Sequence, residues 1–343
     1  MNRRKVMIGD IPIGGGSPIA IQSMCSVDTA DVETVIEQCG RLERAGCEII
    51  RVAAYDRNSA AAVRSIKDTI HMPLVADVHF DYRIAICAME NGADKVRINP
   101  GNIGDENRIR SVVDAAKAHH IPIRVGANSG SLAEDYGKLP LADALVESAL
   151  SNVRILEKLG FYDIVISLKG SSAAATVEAY RKMAAICDYP LHVGITEAGV
   201  YSSSVIKSSI GIGALVLDGL ADTIRVSITG DPAEEISVAK DILRFCGVRS
   251  FGAEVISCPT CGRTRINLEK LATEVSMIAK KVDKPLKIAV MGCAVNGPGE
   301  AKDADIGIAG GNGEGLIFIK GKPYRKYKEN VLLEEFEKLL REL

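Results

Sequence analysis

Short apolar runs rich in β-branched residues alternate with amphipathic segments over most of this chain. From residue 17 to about residue 247, each run is followed by a segment of roughly 12 to 20 residues with helical periodicity. The predicted strands are Ile19–Met24, Glu48–Val52, Leu74–Val78, Lys95–Ile98, Pro122–Val125, Asp163–Leu168, Leu191–Ile195 and Thr223–Ile228. The predicted helices between them include Asp31–Ala45, Ala60–Ile70, Arg83–Asn91, Glu106–His119 and Asp143–Leu159. This alternation is typical of parallel strands joined by helical crossovers.

The number and spacing of these units favour a closed barrel. Eight strand–helix units in about 230 residues match a (β/α)8 TIM barrel, an α/β fold. A doubly wound open sheet is the alternative. It is disfavoured because the units are evenly spaced and no G-x-G-x-x-G motif follows the first predicted strand.

The pattern changes after the predicted helix Pro232–Phe245. Two strands, a helix between them, a hairpin and a closing helix are predicted over Ala253–Ser257, Lys287–Met291, Asn267–Val282, Ile306–Ile319 and Lys328–Leu343. Apolar strands flank Gly310–Gly315, which favours a hairpin turn over a phosphate-binding loop. We therefore predict a barrel domain over residues 1–247 and a small α+β domain over residues 248–343.

Composition narrows the class of protein. Hydrophobic residues make up 47% and charged residues 25% of the chain, as in ordinary globular proteins. The net charge of −2 and the absence of Trp argue against a nucleic-acid-binding surface. No apolar run has the length of a membrane span or a signal peptide. Nine cysteines in a chain without a predicted signal peptide imply thiols that stay free or bind metal. They therefore predict a reducing compartment, the cytoplasm.

Positive charges recur inside the predicted strands. Four predicted strands share one pattern, an arginine between two apolar residues, at Arg51, Arg97, Arg124 and Arg225. Lys169 lies near the end of a fifth strand. A charge within an apolar strand is costly unless it is paired, so a structural ion-pair network is one explanation. However, the carboxyl ends of barrel strands meet at the face where barrel enzymes bind substrate. Because guanidinium groups match phosphate oxygens, we favour a phosphate or diphosphate site.

Further polar residues follow the same strands. Asp77 and His79 end the third strand, Asn128 follows the fifth, and Ser227 lies beside Arg225. Asp77 and His79 are weak evidence for a metal site, because two potential ligands lack a third. We therefore favour hydrogen-bonding roles for them. Glu197, after the seventh strand, is the best candidate for a general acid, because burial could raise the pKa of its carboxyl group. A carboxylate placed at the start of the next helix is the alternative.

Three cysteines and a glutamate carry the chemistry of the second domain. Cys258 and Cys261 form a C-P-T-C motif, and Cys293 and Glu300 lie in M-G-C-A-V-N-G-P-G-E. A structural zinc site would need a fourth Cys or His at similar spacing. Three thiolates beside a carboxylate suit an iron–sulfur cluster with one exchangeable iron, with zinc or a redox dithiol as alternatives. The remaining cysteines are interpreted as core residues: Cys25, Cys39, Cys47, Cys87, Cys187 and Cys246.

Together these motifs resemble the bacterial 4-hydroxy-3-methylbut-2-enyl diphosphate synthase family of the methylerythritol phosphate pathway to isoprenoids. The resemblance runs from I-A-I-Q-S-M to the end of the chain. Its most specific stretches are V-R-I-N-P-G-N-I-G, S-L-K-G-S-S, I-T-E-A-G, S-C-P-T-C-G-R-T and M-G-C-A-V-N-G-P-G-E-A. The short interval between the domains resembles the two-domain bacterial form.

The resemblance implies a specific reaction and a role for each candidate residue. The substrate would be 2-C-methyl-D-erythritol 2,4-cyclodiphosphate, reductively opened and dehydrated by two electrons from reduced flavodoxin or ferredoxin. A 4Fe-4S cluster in a sulfite-reductase-like domain would be held by Cys258, Cys261, Cys293 and the exchangeable Glu300. Glu197 would donate a proton to the departing hydroxyl group. The diphosphate and the reacting carbons would be contacted by Arg51, Asp77, Arg97, Arg124, Asn128, Lys169, Arg225 and Ser227.

The resemblance also implies a head-to-tail homodimer with shared active sites. The predicted helix Pro232–Phe245 runs away from the barrel mouth, and a connection of about five to eight residues spans at most ~25 Å. Folding the second domain back onto its own barrel would therefore be strained. Two other classes stay open at this point: a non-redox hydro-lyase that uses its cluster as a Lewis acid, and a zinc-stapled phosphate-binding protein without chemistry.

Overall fold

The computed structural model describes residues 3–132, 136, 138–293 and 301–343. The chain divides into two units, Met1–Arg249 and Ser250–Leu343. In the described part of the chain, no helix is both long and apolar enough to cross a membrane.

Strands and helices alternate throughout the first unit. Its strands are β1 (Val6–Ile8), β2 (Ile11–Ile13), β3 (Ala20–Met24), β4 (Ile49–Ala53), β5 (Leu74–Asp77), β6 (Lys95–Arg97), β7 (Ile123–Asn128), β8 (Ile164–Lys169), β9 (His192–Val193) and β10 (Thr223–Ile224). Its helices are α1 (Val32–Ala45), α2 (Arg57–Lys67), α3 (Tyr82–Glu90), α4 (Pro100–Ile103), α5 (Glu106–His119), α6 (Leu141–Lys158), α7 (Ala173–Ile186), α8 (Tyr201–Leu217) and α9 (Pro232–Phe245). The predicted alternation of strands and helices is confirmed.

The parallel strands form a nearly closed barrel. Among the described residues, eight strands pair in the order β8-β7-β6-β5-β4-β3-β10-β9. Strand β3 pairs in parallel with β4 on one side and with β10 on the other, so the first and last barrel strands are neighbours. A single parallel bridge between Ile166 and Leu191 joins β8 to the residue before β9. The barrel is confirmed, and the open-sheet alternative is wrong.

Two of the barrel strands are much shorter than the sequence pattern predicts. Strands β9 and β10 contain two residues each, although Leu191–Ile195 and Thr223–Ile228 were expected. Beyond them, the backbone N–H of Arg225 still donates to the carbonyl of Val193 at 2.9 Å. A Cβ at Gly194 would lie only 2.6 Å from the carbonyl oxygen of Arg225. The two backbones approach each other at this glycine, and regular pairing ends there.

The two ends of the barrel differ in polarity. The amino-terminal end is filled by Ala20, Ile49, Val75 and Val165 and is covered by the β1–β2 hairpin through Val6, Ile8 and Ile13. The sequence pattern did not predict this hairpin, because its strands have three residues each. Its effect is an apolar floor under a barrel whose opposite end carries the charged side chains.

The second unit is built on one mixed sheet. Its elements are β11 (Glu254–Ser257), α10 (Leu268–Ala279), β12 (Lys287–Met291), β13 (Ile306–Gly310), β14 (Glu314–Ile319), β15 (Lys322–Lys328) and α11 (Glu329–Glu342). The sheet order is β11-β12-β13-β14-β15, in which the first three strands are parallel and the last two antiparallel to their neighbours. Its core includes Val275, Ile288, Ile308 and Phe336. Cys258 and Cys293 each lie just beyond the carboxyl end of a parallel strand.

Candidate active site

A polar cavity of about 470 Å³ opens at the carboxyl ends of the barrel strands. Its wall is formed by Arg51, Asp77, His79, Phe80, Arg97, Asn99, Asn102, Arg124, Ala127, Asn128, Gly130, Ser131, Ser167, Lys169, Thr196, Glu197, Arg225 and Ser227. Every barrel residue that the sequence singled out for a site therefore lies in this one cavity. Strand alternation explains the convergence, because alternate residues of β4 to β8 point into the barrel.

Asp77 is the buried carboxylate on one side of the cavity. It accepts a hydrogen bond from Nη1 of Arg97 at 3.2 Å, and Nε of Arg51 lies 3.8 Å from its other oxygen. Burial by itself would raise the pKa of this carboxyl group. The neighbouring charges, chiefly Arg51 and Arg97, outweigh burial and lower the pKa of Asp77 to about 2. Asp77 is therefore ionised at neutral pH and holds two guanidinium groups in place.

A methionine lies between two of the arginines. Nε and Nη2 of Arg51 approach Sδ of Met24 at 3.0 and 2.8 Å, and Nη1 of Arg225 lies 3.8 Å from the same sulfur. A thioether is a weak acceptor, so it orients these donors without neutralising them. No sequence pattern indicates that Met24 belongs to the site, because a methionine at a strand end is usually a core residue.

Two cations in the cavity have no counterion in the described part of the chain. Arg124 is 1% exposed, and its Nε and Nη1 atoms have no hydrogen-bond partner. Burial and the nearby charges of Arg51 and Arg225 place the pKa of Lys169 well below its usual range. The unpaired buried donors of Arg124 carry a free-energy cost that an anion can offset. The arrangement is thus poorly explained as a purely structural ion-pair network.

Below the cavity, the barrel interior contains a further polar layer. Lys95 is fully buried, and its ammonium group lies 3.5 Å from Oε1 of Gln22. Burial, with Arg124 and Arg51 nearby, lowers the pKa of Lys95 well below its usual value. His192 is buried at the same depth in β9 and contacts Oγ1 of Thr223 at 2.8 Å. The layer beneath the cavity is thus made of polar and ionisable side chains rather than of an apolar core.

Glu197 and Asn128 lie on the same side of the cavity. A Cβ at Gly130 would lie 3.3 Å from Oε1 of Glu197 and 3.9 Å from Oδ1 of Asn128. Glu197 has a φ of +52°, a left-handed conformation that is unfavourable for a residue with a side chain. Burial of this side chain was expected from its sequence position, but the side chain is exposed at the rim of the cavity.

One buried carboxylate of the site was not predicted. Glu235 is 3% exposed, and its carboxylate oxygens lie 3.3 and 3.4 Å from Nη2 and Nε of Arg225. It belongs to the first turn of α9, where an acidic residue ordinarily interacts with the helix dipole. No local sequence feature therefore distinguishes Glu235 from its exposed neighbour Glu234.

The three cysteines of the second unit surround a smaller cavity of about 150 Å³. Cys258, Cys261 and Cys293 line it together with Pro259, Arg263, Thr264 and Gly292. The backbone N–H of Gly292 donates to Sγ of Cys258 at 3.2 Å. Hydrogen bonds from Arg263 lower the pKa of Cys261, which favours the thiolate. Glu300, the expected fourth ligand, lies outside the described residues.

The thiolates that line this cavity are of the kind that serve as ligands in iron–sulfur sites. Within the described residues, no group of three or more His, Cys, Asp or Glu side chains is close enough to hold one metal ion. A cluster requires less closely spaced thiolates, because each binds a different iron atom. Hydrogen bonds to sulfur, such as that from Gly292, are typical of iron–sulfur sites. The described residues therefore supply three ligands of the expected kind around one cavity.

Comparison with known proteins places both units in one family. The model of the GcpE TIM-barrel domain matches residues 3–240, and that of the GcpE protein C-terminal domain matches residues 254–342. A relative from Caldanaerobacter subterraneus subsp. tengcongensis is 58% identical over 99% of this chain and 98% of its own length. One from Clostridium perfringens is 54% identical over 99% of both chains. Both relatives are named 4-hydroxy-3-methylbut-2-en-1-yl diphosphate synthase (flavodoxin).

Two solved structures are similar to this chain over about 70% of its length. The dihydropteroate synthase of Yersinia pestis superposes with a TM-score of 0.53 at 13% identity, over 71% of this chain and 98% of that protein. The N-acetylneuraminic acid synthetase of Leptospira borgpetersenii gives a TM-score of 0.52 at 14% identity, over 72% of this chain and 90% of that protein. At such low identity, these similarities concern the fold and carry no information about the substrate.

Proposed function

This chain belongs to the GcpE family, and we propose that it is a 4-hydroxy-3-methylbut-2-en-1-yl diphosphate synthase. It is an enzyme, an oxidoreductase of isoprenoid biosynthesis. The substrate that we propose is 2-C-methyl-D-erythritol 2,4-cyclodiphosphate. Its ring is opened by two-electron reduction with loss of water to give the linear diphosphate.

The observation that carries this proposal is the convergence of five cations from five strands in one cavity. The five residues are Arg51, Arg97, Arg124, Lys169 and Arg225. Two buried carboxylates, Asp77 and Glu235, form ion pairs with three of them, so the cavity has an excess of positive charge. A cyclic diphosphate carries two negative charges and several oxygens that accept from guanidinium forks. We propose that these five residues and Ser227 bind the diphosphate, because the buried Arg124 and the half-buried Lys169 have no ion-pair partner among the described residues.

We assign the proton-donating and orienting roles to the rim of the cavity. Glu197 is the general acid in this proposal, and Asp77 and Asn128 line the carbon skeleton. The separation of roles follows from the environment of each carboxylate. Asp77 is held ionised by two arginines, whereas Glu197 has no ion pair among the described residues, so Glu197 is the carboxyl group that we assign to proton donation.

We further propose that the second unit is the iron–sulfur domain and the first is the substrate domain. Cys258, Cys261 and Cys293 would hold a 4Fe-4S cluster, with Glu300 as the exchangeable fourth ligand. When bound, the cluster supplies the electrons for the reduction. The names of the relatives support reduced flavodoxin as the donor, and ferredoxin remains the alternative. Because all nine thiols are free, we propose the reducing cytoplasm as the compartment.

We also propose a homodimer with shared active sites. The anion-binding cavity and the cysteine cavity belong to separate units of the chain. Reduction requires both to act on one substrate. A two-fold dimer would satisfy this requirement by combining the barrel of one protomer with the cysteine cavity of its partner.

The activity is tested with anaerobically reconstituted protein. We expect about four iron and four sulfide per chain and conversion of the cyclic diphosphate when reduced flavodoxin is supplied. Cys293→Ser should abolish conversion, whereas Cys87→Ser, a partly buried thiol on α3, should leave it unchanged. Stoichiometric zinc without iron uptake, or no conversion by the iron-loaded protein, would contradict the proposal.

A further inference from the structure

Glu235 occupies a position in the barrel that its sequence context does not indicate. It lies in the first turn of α9 and is 3% exposed, so its carboxylate is buried between that helix and the strands β3 and β10. Oε2 accepts a hydrogen bond from Oγ of Ser23 at 2.8 Å. Oε1 accepts from the backbone N–H of Ile228 at 3.1 Å. Strand β3 and the segment that follows β10 thus both contact this side chain of α9.

The same carboxylate also binds Arg225 through two donors. Nε of Arg225 lies 3.4 Å from Oε2, and Nη2 lies 3.3 Å from Oε1, which is the side-on arrangement of a guanidinium fork on a carboxylate. The outer edge of the fork is therefore occupied. Nη1 is left to face Met24 and the cavity. Glu235 fixes which edge of Arg225 is available to an anion.

The contact with Ile228 extends this effect to a second cavity residue. Ser227 directly precedes Ile228, and its carbonyl oxygen accepts from Oγ of Ser204 at 2.7 Å. The peptide segment around Ser227 is therefore fixed by Glu235 on one side and by Ser204 on the other. Beyond β10 the backbone has no regular strand pairing, so these side-chain contacts take over its positioning.

We propose that Glu235 is a positioning residue for diphosphate binding, acting through Arg225 and the segment that carries Ser227. The inference rests on the proposed diphosphate site. Two effects of the carboxylate oppose each other. As a negative charge near the cavity, Glu235 disfavours an anion, but as an acceptor for four donors it fixes the groups that bind the anion. The structure favours the second effect, because both oxygens are already fully used by donors of the protein.

These two effects predict opposite changes in affinity for Glu235→Gln. If Glu235 acted only as a nearby charge, removing it would strengthen the binding of inorganic pyrophosphate. If it positions Arg225 and Ser227, its removal should weaken binding by about tenfold or more, as expected for one lost charge-assisted hydrogen bond. Glu234→Gln is the matched control, because Glu234 is exposed one residue earlier on the same helix. It removes the same charge without these contacts and should leave affinity within about twofold.

The experiment is calorimetric titration of the full-length chain with pyrophosphate, as a double-mutant cycle with Arg225→Met. A positioning role predicts non-additivity, so Glu235→Gln should lose most of its effect on affinity when Arg225 is already methionine. Additive effects, unchanged affinity or tighter binding by Glu235→Gln would overturn the inference. Absence of pyrophosphate binding by the wild-type chain would overturn the diphosphate site itself, and this inference with it.

A second variant protects the test against loss of folding. Glu235→Asp keeps the charge but shortens the side chain by one methylene, so it cannot reach all four donors. We expect intermediate affinity for pyrophosphate from Glu235→Asp, with an unfolding midpoint closer to wild type than that of Glu235→Gln. In assays with the cyclic diphosphate, KM should rise more than kcat falls. An affinity of Glu235→Asp equal to wild type, or a change in kcat alone, would argue against positioning of the binding groups.

Discussion

Lys169 is a single residue whose protonation should follow the occupancy of the site. Burial and two neighbouring guanidinium groups hold its pKa well below the usual range, which disfavours the ammonium form. A bound diphosphate reverses the electrostatic part of this effect and raises the pKa. Binding therefore takes up a proton, and affinity should fall as pH rises through the range in which the amine of the empty pocket is neutral.

The measurement is calorimetry of cyclic diphosphate binding in two buffers of different ionisation enthalpy. We expect uptake of up to about one proton per bound molecule, because the ring phosphates have no proton that titrates near neutral pH. Lys169→Met should remove the uptake. Undiminished proton uptake in that variant would assign it to another group and contradict the prediction.

Glu197 should separate binding from chemistry. Glu197→Gln keeps the length and hydrogen-bonding capacity of the side chain but has no acidic proton. We expect kcat to fall by about 10²-fold or more, as is usual for loss of a general acid, while substrate affinity changes little. Pre-steady-state assays and equilibrium binding measure the two separately. Near-normal turnover would move the proton donor elsewhere, for instance to water.

The site residues that could be predicted from the sequence are those whose position is unusual for their residue type. An arginine within an apolar strand, or a cysteine pair beside prolines and glycines, stands out because a structural explanation is costly. Glu235 and Met24 did not stand out, since an acidic residue in a first helical turn and a methionine at a strand end are common. Their roles depend on contacts with β3 and β10, which no local pattern contains.

Among the elements, β7 and β8 are the pair most sensitive to added volume. A Cβ at Gly126 would lie 1.9 Å from the carbonyl oxygen of Ser167 on β8. Gly126→Ala therefore forces apart two paired strands that carry Arg124, Asn128 and Lys169. We expect a loss of about 3 kcal/mol in the free energy of unfolding and a weaker affinity for pyrophosphate, measured by urea denaturation and calorimetry.

Gly40→Ala is the control for this prediction. Gly40 lies in the interior of α1, where a new Cβ meets only an atom of Arg44 at 3.5 Å. Alanine should raise the free energy of unfolding by roughly 0.5–1 kcal/mol through its higher helix propensity. If Gly126→Ala were as stable as wild type, the close approach of the two backbones would not hold in solution.

The elements that the sequence pattern missed share a physical reason. Strands β1 and β2 are too short for alternation to be visible, and β15 is a lysine-rich edge strand whose two faces are exposed. Charged residues are usual on sheet edges, where they discourage pairing with other chains. Binary patterning detects elements that bury one face over several residues, so three-residue strands and an edge strand with both faces exposed are not seen.

On the scale of the whole molecule, the proposed homodimer predicts complementation between two inactive chains. Co-expression of Glu197→Gln with Cys258→Ser should restore roughly a quarter of wild-type activity. About half of the randomly paired dimers are mixed, and each mixed dimer has one intact site if sites are shared between protomers. Activity of the purified, reconstituted mixture is the measurement. If every site were built within one chain, all sites would carry a defect, and the mixture would remain inactive.

The pairing of β3 with β10 has a consequence for how the chain is made. The contact between Ser23 and Glu235 joins residues 212 positions apart, so the ring of strands cannot close until the last barrel strand has left the ribosome. At about 5–20 residues per second, β3 waits on the order of 10–40 s with one edge unpaired. During synthesis, the nascent barrel is thus an open sheet with exposed edges, the form most prone to aggregation. A chain interrupted before Thr223 should therefore depend on chaperones, whereas one released after α9 should not.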